Sequence, residues 1–192
     1  MIMAKIIVDN EIGLIVRGKR LPTHVPDLLE QHADCVLSDG APVGFYGTGA
    51  GYLGVSASTG LGMDGVVMTY DDLASPAYGR IHYVDATLAK KYNLVSTLLL
   101  IKVSETESML FTAAWNEMKN DPGGFSLLGN NCSTHASLAF NKAGVLPSSI
   151  PGVDTPDNLY HQLVSIRNGH TRCFSGFLGF TPATGGFSID ML

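Results

Sequence analysis

The run Phe125–Val145, FSLLGNNCSTHASLAFNKAGV, constrains the fold more than any other stretch of the chain. Gly129, Asn130 and Asn131 form a turn-favouring run, and a helical pattern begins directly after it. Counting from Cys132, small or apolar residues recur at Ala136, Ala139, Phe140 and Ala143, one stripe of an amphipathic helix. Gly144 is placed to end it as the C′ residue. Such a helix must lay its stripe against an apolar layer, and Cys132 then stands in its first turn on the inward face. Unpaired N–H groups and the positive end of the helix dipole favour a thiolate at that point. They draw the thiol below its usual pKa of about 8.5, which makes a nucleophile of a residue otherwise mostly protonated at neutral pH. The plainer reading is that Cys132 is a small buried hydrophobe, as free cysteines commonly are. The two asparagines favour the nucleophile, because they are costly inside a helix and useful in a turn that offers donors to a sulfur.

The rest of the chain can supply the layer. Its 192 residues, 45% hydrophobic and 15% charged, suit one compact domain over residues 1–192. The formal net charge of −5 argues against a nucleic-acid partner. No apolar run reaches the roughly 18 residues of a membrane span. The start, MIMAKIIVDNEIG, is too short in apolar residues for a secretory signal, so synthesis in the cytoplasm without a classical export signal is expected. Three cysteines, Cys35, Cys132 and Cys173, show no metal-type spacing and no disulfide framework. No cofactor is expected.

Taken in order, residues 4–8 and 12–17 read as strands around the turn at Asp9-Asn10. Pro22 and Pro26 precede a short helix at Asp27–Gln31. His32 opens a strand over 33–37, Ser38-Asp39-Gly40 is a turn, and Val43–Tyr46 returns as its hairpin partner. Residues 47–65 hold seven glycines in nineteen positions, too many for a helix, and read as a long surface loop. Strands are expected at Gly65–Tyr70, Arg80–Asp85 and Thr97–Val103, with a helical turn at Leu88–Tyr92. Ser104 and Glu107 form a capping box opening a helix to about Lys119, with Leu110, Phe111, Ala114 and Met118 inward. Asp154-Thr155-Pro156 starts a further helix at 157–165. The tail, about 167–192, shows little periodicity and reads as irregular cover for an edge or apolar surface.

A base for the cysteine needs a rigid mount. Of six histidines, His32 ranks first because it opens a strand. His82 in mid-strand, His135 three residues after Cys132 and His24 between prolines come behind it.

His32-Ala33-Asp34-Cys35-Val36-Leu37, then Gly44-Phe45-Tyr46, then the late LLGNNC helix start, resemble a circularly permuted papain-like cysteine hydrolase of the NlpC/P60 type. Asp154-Thr155-Pro156 with Leu159-Tyr160 resembles the segment after the cysteine helix in that family, so the likeness spans about residues 30–165. It implies an α+β fold in permuted order, an antiparallel sheet packed against the cysteine helix, with Cys132 as nucleophile and His32 as base. Position 44, near where the family carries a third polar residue, is glycine. Tyr46 and Thr48 are the nearest polar side chains, and Tyr46 is taken as the orienting residue. The Cys132 N–H and the Asn131 side chain would form the oxyanion hole. The resemblance further implies an amidase or endopeptidase acting on peptidoglycan peptides, as type VI secretion effectors with this fold do. Partners would then include a cognate immunity protein and a secretion component, and the site of action would be the target-cell periplasm. Related permuted enzymes act instead on lipid esters or protein side-chain amides.

Two other readings compete. A papain-like shell can serve as a non-catalytic binding module. Gly49-Ala50-Gly51-Tyr52-Leu53-Gly54 matches a dinucleotide-binding fingerprint after a strand, with Asp71 twenty residues past Gly51. No amphipathic helix comes after those glycines, and a phosphate site requires one.

Overall fold

The computed structural model describes residues 3–18, 31–48, 63–126, 129–147 and 155–191. Strands β1 (Met3–Ile7), β2 (Glu11–Arg17), β3 (His32–Val36), β4 (Pro42–Gly47) and β5 (Met63–Thr69) come first. Two short helices follow, α1 (Tyr70–Ala74) and α2 (Ala86–Lys91), and then strand β6 (Ser96–Lys102). Helix α3 (Glu105–Asn120), the two-residue strand β7 (Gly124–Phe125), α4 (Cys132–Lys142) and α5 (Pro156–Ile166) come next. The described chain closes with β8 (Thr171–Thr181) and β9 (Gly186–Met191).

All nine strands join one antiparallel sheet in the order β1-β9-β8-β6-β2-β3-β4-β5-β7, giving an α+β architecture with five α-helices among the described residues. Every residue of β2, and every residue of β6 but Lys102, is buried, because both faces of the sheet are covered. Alternation assigns the faces. Ile12, Leu14, Val16, Leu99 and Ile101 join the large core under α3, α4 and α5, with Phe111, Trp115, Phe140 and Leu163. Ile15, Val36, Leu98 and Leu100 point the other way, onto Leu178, Phe187 and Ile189. The β3–β4 turn meets the β8–β9 turn so closely that a Cβ on Gly40 would stand 1.9 Å from the Gly185 carbonyl oxygen.

The α4 stripe packs as its spacing requires: Ala136, Ala139, Phe140 and Ala143 are buried, and Gly144 takes the left-handed conformation (φ 75°) just past the helix. Ser104 and Glu107 form the capping box of α3. That helix is rotated from the expected stripe, with Leu110 exposed and Trp115 taking an inward place. Residues 80–85 are not a strand. Ile81–Tyr83 form a 3₁₀ turn leading to α2, whose N-cap Asp85 accepts from the Leu88 N–H. The tail is not irregular either, since it supplies β8, the longest of the described strands, and β9. Gly176 and Gly179, pressed against backbone and side-chain atoms, interrupt the hydrophobic alternation and mask the strand in the sequence. The expected helix at 27–31 lies outside the described residues except for Gln31, and so does the glycine run between Thr48 and Met63 with its dinucleotide fingerprint.

Candidate active site

The β3–β4 ladder ends at the Asp34–Gly44 pair, one residue short of Ala33. Ala33 N–H, freed from that ladder, points instead at the Cys132 Sγ, 3.4 Å away. The sulfur stands at the first helical position of α4, buried among Ala33, Cys35 and the α4 stripe. Asn131 is the N-cap, its side-chain oxygen accepting from the Thr134 N–H at 3.0 Å. That oxygen is therefore spent on starting the helix.

His32, the first residue of β3, interacts directly with Cys132, so the structure brings together the two residues ranked first in the sequence. The partner that orients the imidazole is Asp34. His32 Nε2 donates to Asp34 Oδ1 at 2.8 Å. Two residues apart on a strand, the two side chains share a face, and His32-Ala33-Asp34 was the available signal for this pairing. Tyr46 hydrogen-bonds the carboxylate and packs on the ring: its hydroxyl donates to Asp34 Oδ1 at 2.6 Å, and its ring stacks on the imidazole at 4.4 Å. On the other carboxylate oxygen, Arg17 Nε donates to Oδ2 at 2.5 Å. Asp34 has no exposed surface and Arg17 is 1% exposed, so the pair is fully enclosed.

Electrostatics follow from these contacts. Burial disfavours the imidazolium of His32, yet the charges of Cys132 and Asp34 and hydrogen bonds to both carry its pKa up to about 9. Burial likewise opposes the Cys132 thiolate, but His32, the Ala33 N–H and the Ser133 hydroxyl bring the thiol below its ordinary value. Burial would raise Asp34, and Arg17, His32 and Tyr46 instead hold it far below the usual carboxylate range. Each of the three groups thus favours the charged form of its neighbour, in a chain that runs from the Cys132 sulfur through the His32 ring to the Asp34 carboxylate.

The other candidates stand apart. His82 is buried in the 3₁₀ turn, and burial with the charges of Arg17 and Arg80 lowers its pKa to about 4. His135 stacks on Phe45 at 3.5 Å between the carbonyls of Asn131 and Pro122, and burial lowers its pKa. Thr48 is exposed, and His24 lies outside the described residues. Burial pushes the Cys35 thiol well up, and Cys173 is exposed. All three cysteines are free. Among the described residues no helix is long and apolar enough to cross a membrane.

No protein-family model matches this chain, and no curated protein or solved structure matches it.

Proposed function

We propose that the chain is a cysteine hydrolase of amide bonds, with Cys132 as nucleophile, His32 as acid and base and Asp34 as the residue that orients it. The observation that carries this reading is the His32–Cys132 pair with its ring held by the buried Asp34 carboxylate. A structural thiol gains nothing from such an arrangement, whereas a nucleophile needs it. Because Nε2 is bound to Asp34, Nδ1 is the ring nitrogen left for the sulfur.

The thiolate attacks the scissile carbonyl carbon, and the Cys132 backbone N–H in the first turn of α4 stabilises the developing oxyanion. His32 passes its proton to the leaving amine, leaving a thioester on Cys132. The neutral ring then takes a proton from water, hydroxide adds to the thioester, and the acid leaves as the thiolate is regenerated. Asp34 keeps the ring in one tautomer and steadies its charged form.

The permuted papain-like arrangement fits this assignment, and on the NlpC/P60 resemblance the substrate is an amide in peptidoglycan peptides and the protein a secreted antibacterial effector. The test is incubation with purified sacculi, followed by detection of new amino groups. Wild type should release them, and Cys132→Ala should not while keeping its melting temperature. Release by the variant, or none by the wild type, removes the peptidoglycan assignment. Expression with an added export signal should lyse cells only with Cys132 intact.

A further inference from the structure

Two guanidinium groups lie against the tyrosine rings that stack on His32. Arg17 Cζ sits 4.5 Å from the Tyr83 centroid, and Arg80 Cζ sits 4.5 Å from that of Tyr46. Tyr83 in turn stacks on the imidazole at 5.9 Å and Tyr46 at 4.4 Å. The cations therefore flank the base through its own aromatic neighbours. Each also carries an N–H with no acceptor among the described residues, Nη2 of Arg17 and Nε of Arg80, and both atoms are closed off from solvent. Buried guanidinium donors are ordinarily satisfied, so two orphans at one site point to a missing acceptor. Ion pairing says the same. Arg17 is paired with Asp34, whereas among the described residues no carboxylate is paired with Arg80, in a chain whose net charge is −5.

The geometry points to an anion subsite beside the catalytic pair, in which Arg80 holds a carboxylate of the substrate close to the bond that Cys132 attacks. One unpaired guanidinium matches one carboxylate better than a phosphate, which carries about −1.5 to −2 at neutral pH. Arg80 is only half-buried, so a group arriving from solvent reaches it first, whereas Arg17 is committed to Asp34 and acts as fixed charge behind it. The substrate class is thus an amide flanked by an acidic residue or a free carboxyl terminus. This rests on the hydrolase reading, and the experiment separates the two.

Cys132 is alkylated with iodoacetate and, in parallel, with iodoacetamide, reagents that differ by the carboxylate alone. Exposed Cys173 serves as internal reference, and both sites are followed by peptide mass mapping. The iodoacetate-to-iodoacetamide rate ratio at Cys132 should exceed that at Cys173 by about tenfold or more, as a focused positive field gives. Arg80→Gln should bring it to the Cys173 value, and Arg80→Lys should restore part of it. Acetate should protect Cys132 from iodoacetamide. Equal ratios at the two cysteines, or an unchanged ratio in Arg80→Gln, overturns the subsite while fast iodoacetamide labelling leaves the hydrolase standing. Slow labelling of Cys132 by iodoacetamide removes both. Protection by inorganic phosphate and not by acetate overturns the carboxylate assignment.

Discussion

Gly44 faces Asp34 across the β3–β4 ladder, and a Cβ at Gly44 would stand 2.0 Å from Asp34 Oδ1. The position that looked like a missing catalytic residue is the space into which the carboxylate fits. Gly44→Ala should therefore push Asp34 off the imidazole. The expected loss in kcat/KM is on the order of 10²-fold, the scale of a mispositioned catalytic group. Overpacking should also lower stability by about 1–3 kcal/mol. Steady-state kinetics and thermal unfolding of the one variant check both. A fully active Gly44→Ala protein would show that the carboxylate does not orient His32.

Asp34→Asn preserves shape and removes the charge that Arg17 and His32 share. The buried guanidinium is then left unpaired, at a cost of about 3–5 kcal/mol. Activity should fall by at least about 10²-fold, because an amide holds the wrong tautomer as readily as the right one. Denaturant unfolding measures the first effect. At a temperature where the variant remains folded, kinetics measure the second.

The His32–Cys132 pair should be reactive over a broad pH window. His32 is raised from 6.5 to about 9, so what it adds to stability is whole below pH 6.5 and disappears as pH rises through about 9. Cys132 is lowered from 9.0, so its share is present above pH 9 and disappears as pH falls through its folded value. Between pH 6.5 and 9 the two groups therefore act in opposite senses, His32 losing its share and Cys132 gaining as pH rises. Iodoacetamide labelling of Cys132 should fall less as pH drops below 9 than that of an ordinary thiol. In His32→Ala the thiol returns toward its ordinary value, and labelling at pH 6 should slow on the order of 10²-fold. A thiol that titrates normally in the wild type would contradict the ion pair.

His82 imposes an acid limit. Its pKa is lowered from 6.5 to about 4, so unfolded chains take up its proton first and stability drains away as pH falls from 6.5 to 4. The loss from this group amounts to at most about 3 kcal/mol by pH 4. His82→Gln should flatten that part of the stability curve without changing the alkylation rate of Cys132. Denaturant midpoints at pH 7 and pH 4.5 for the two proteins decide it.

The cysteine helix and six of the nine described strands, β1 to β6, were legible because their signals are local. The α4 stripe and its glycine stop lie within a dozen residues, and β6 is a continuous apolar run. Asp34 was harder to read. Its place beside His32 follows from strand alternation, but its role depends on Arg17 and Tyr46, which come from other strands. An aspartate in an apolar strand reads as an edge residue until the cation that neutralises it is located. Residues 80–85 alternate like a strand, yet the N-cap Asp85 competes for the backbone and turns them into a helix entry. β8 and β9 were missed because their glycines answer to tight contacts with distant backbone, which no window of sequence contains.

Among the described strands β1 pairs with β9 alone, so Met3–Ile7 is matched to Gly186–Asp190, in the element translated last among those described. Emerging from the ribosome, β1 waits for this neighbour while every other described element is made. Such long-range closure makes folding slow. The reactive sulfur and ring should accordingly assemble only once β9 has emerged, and a shorter nascent chain should be chemically inert.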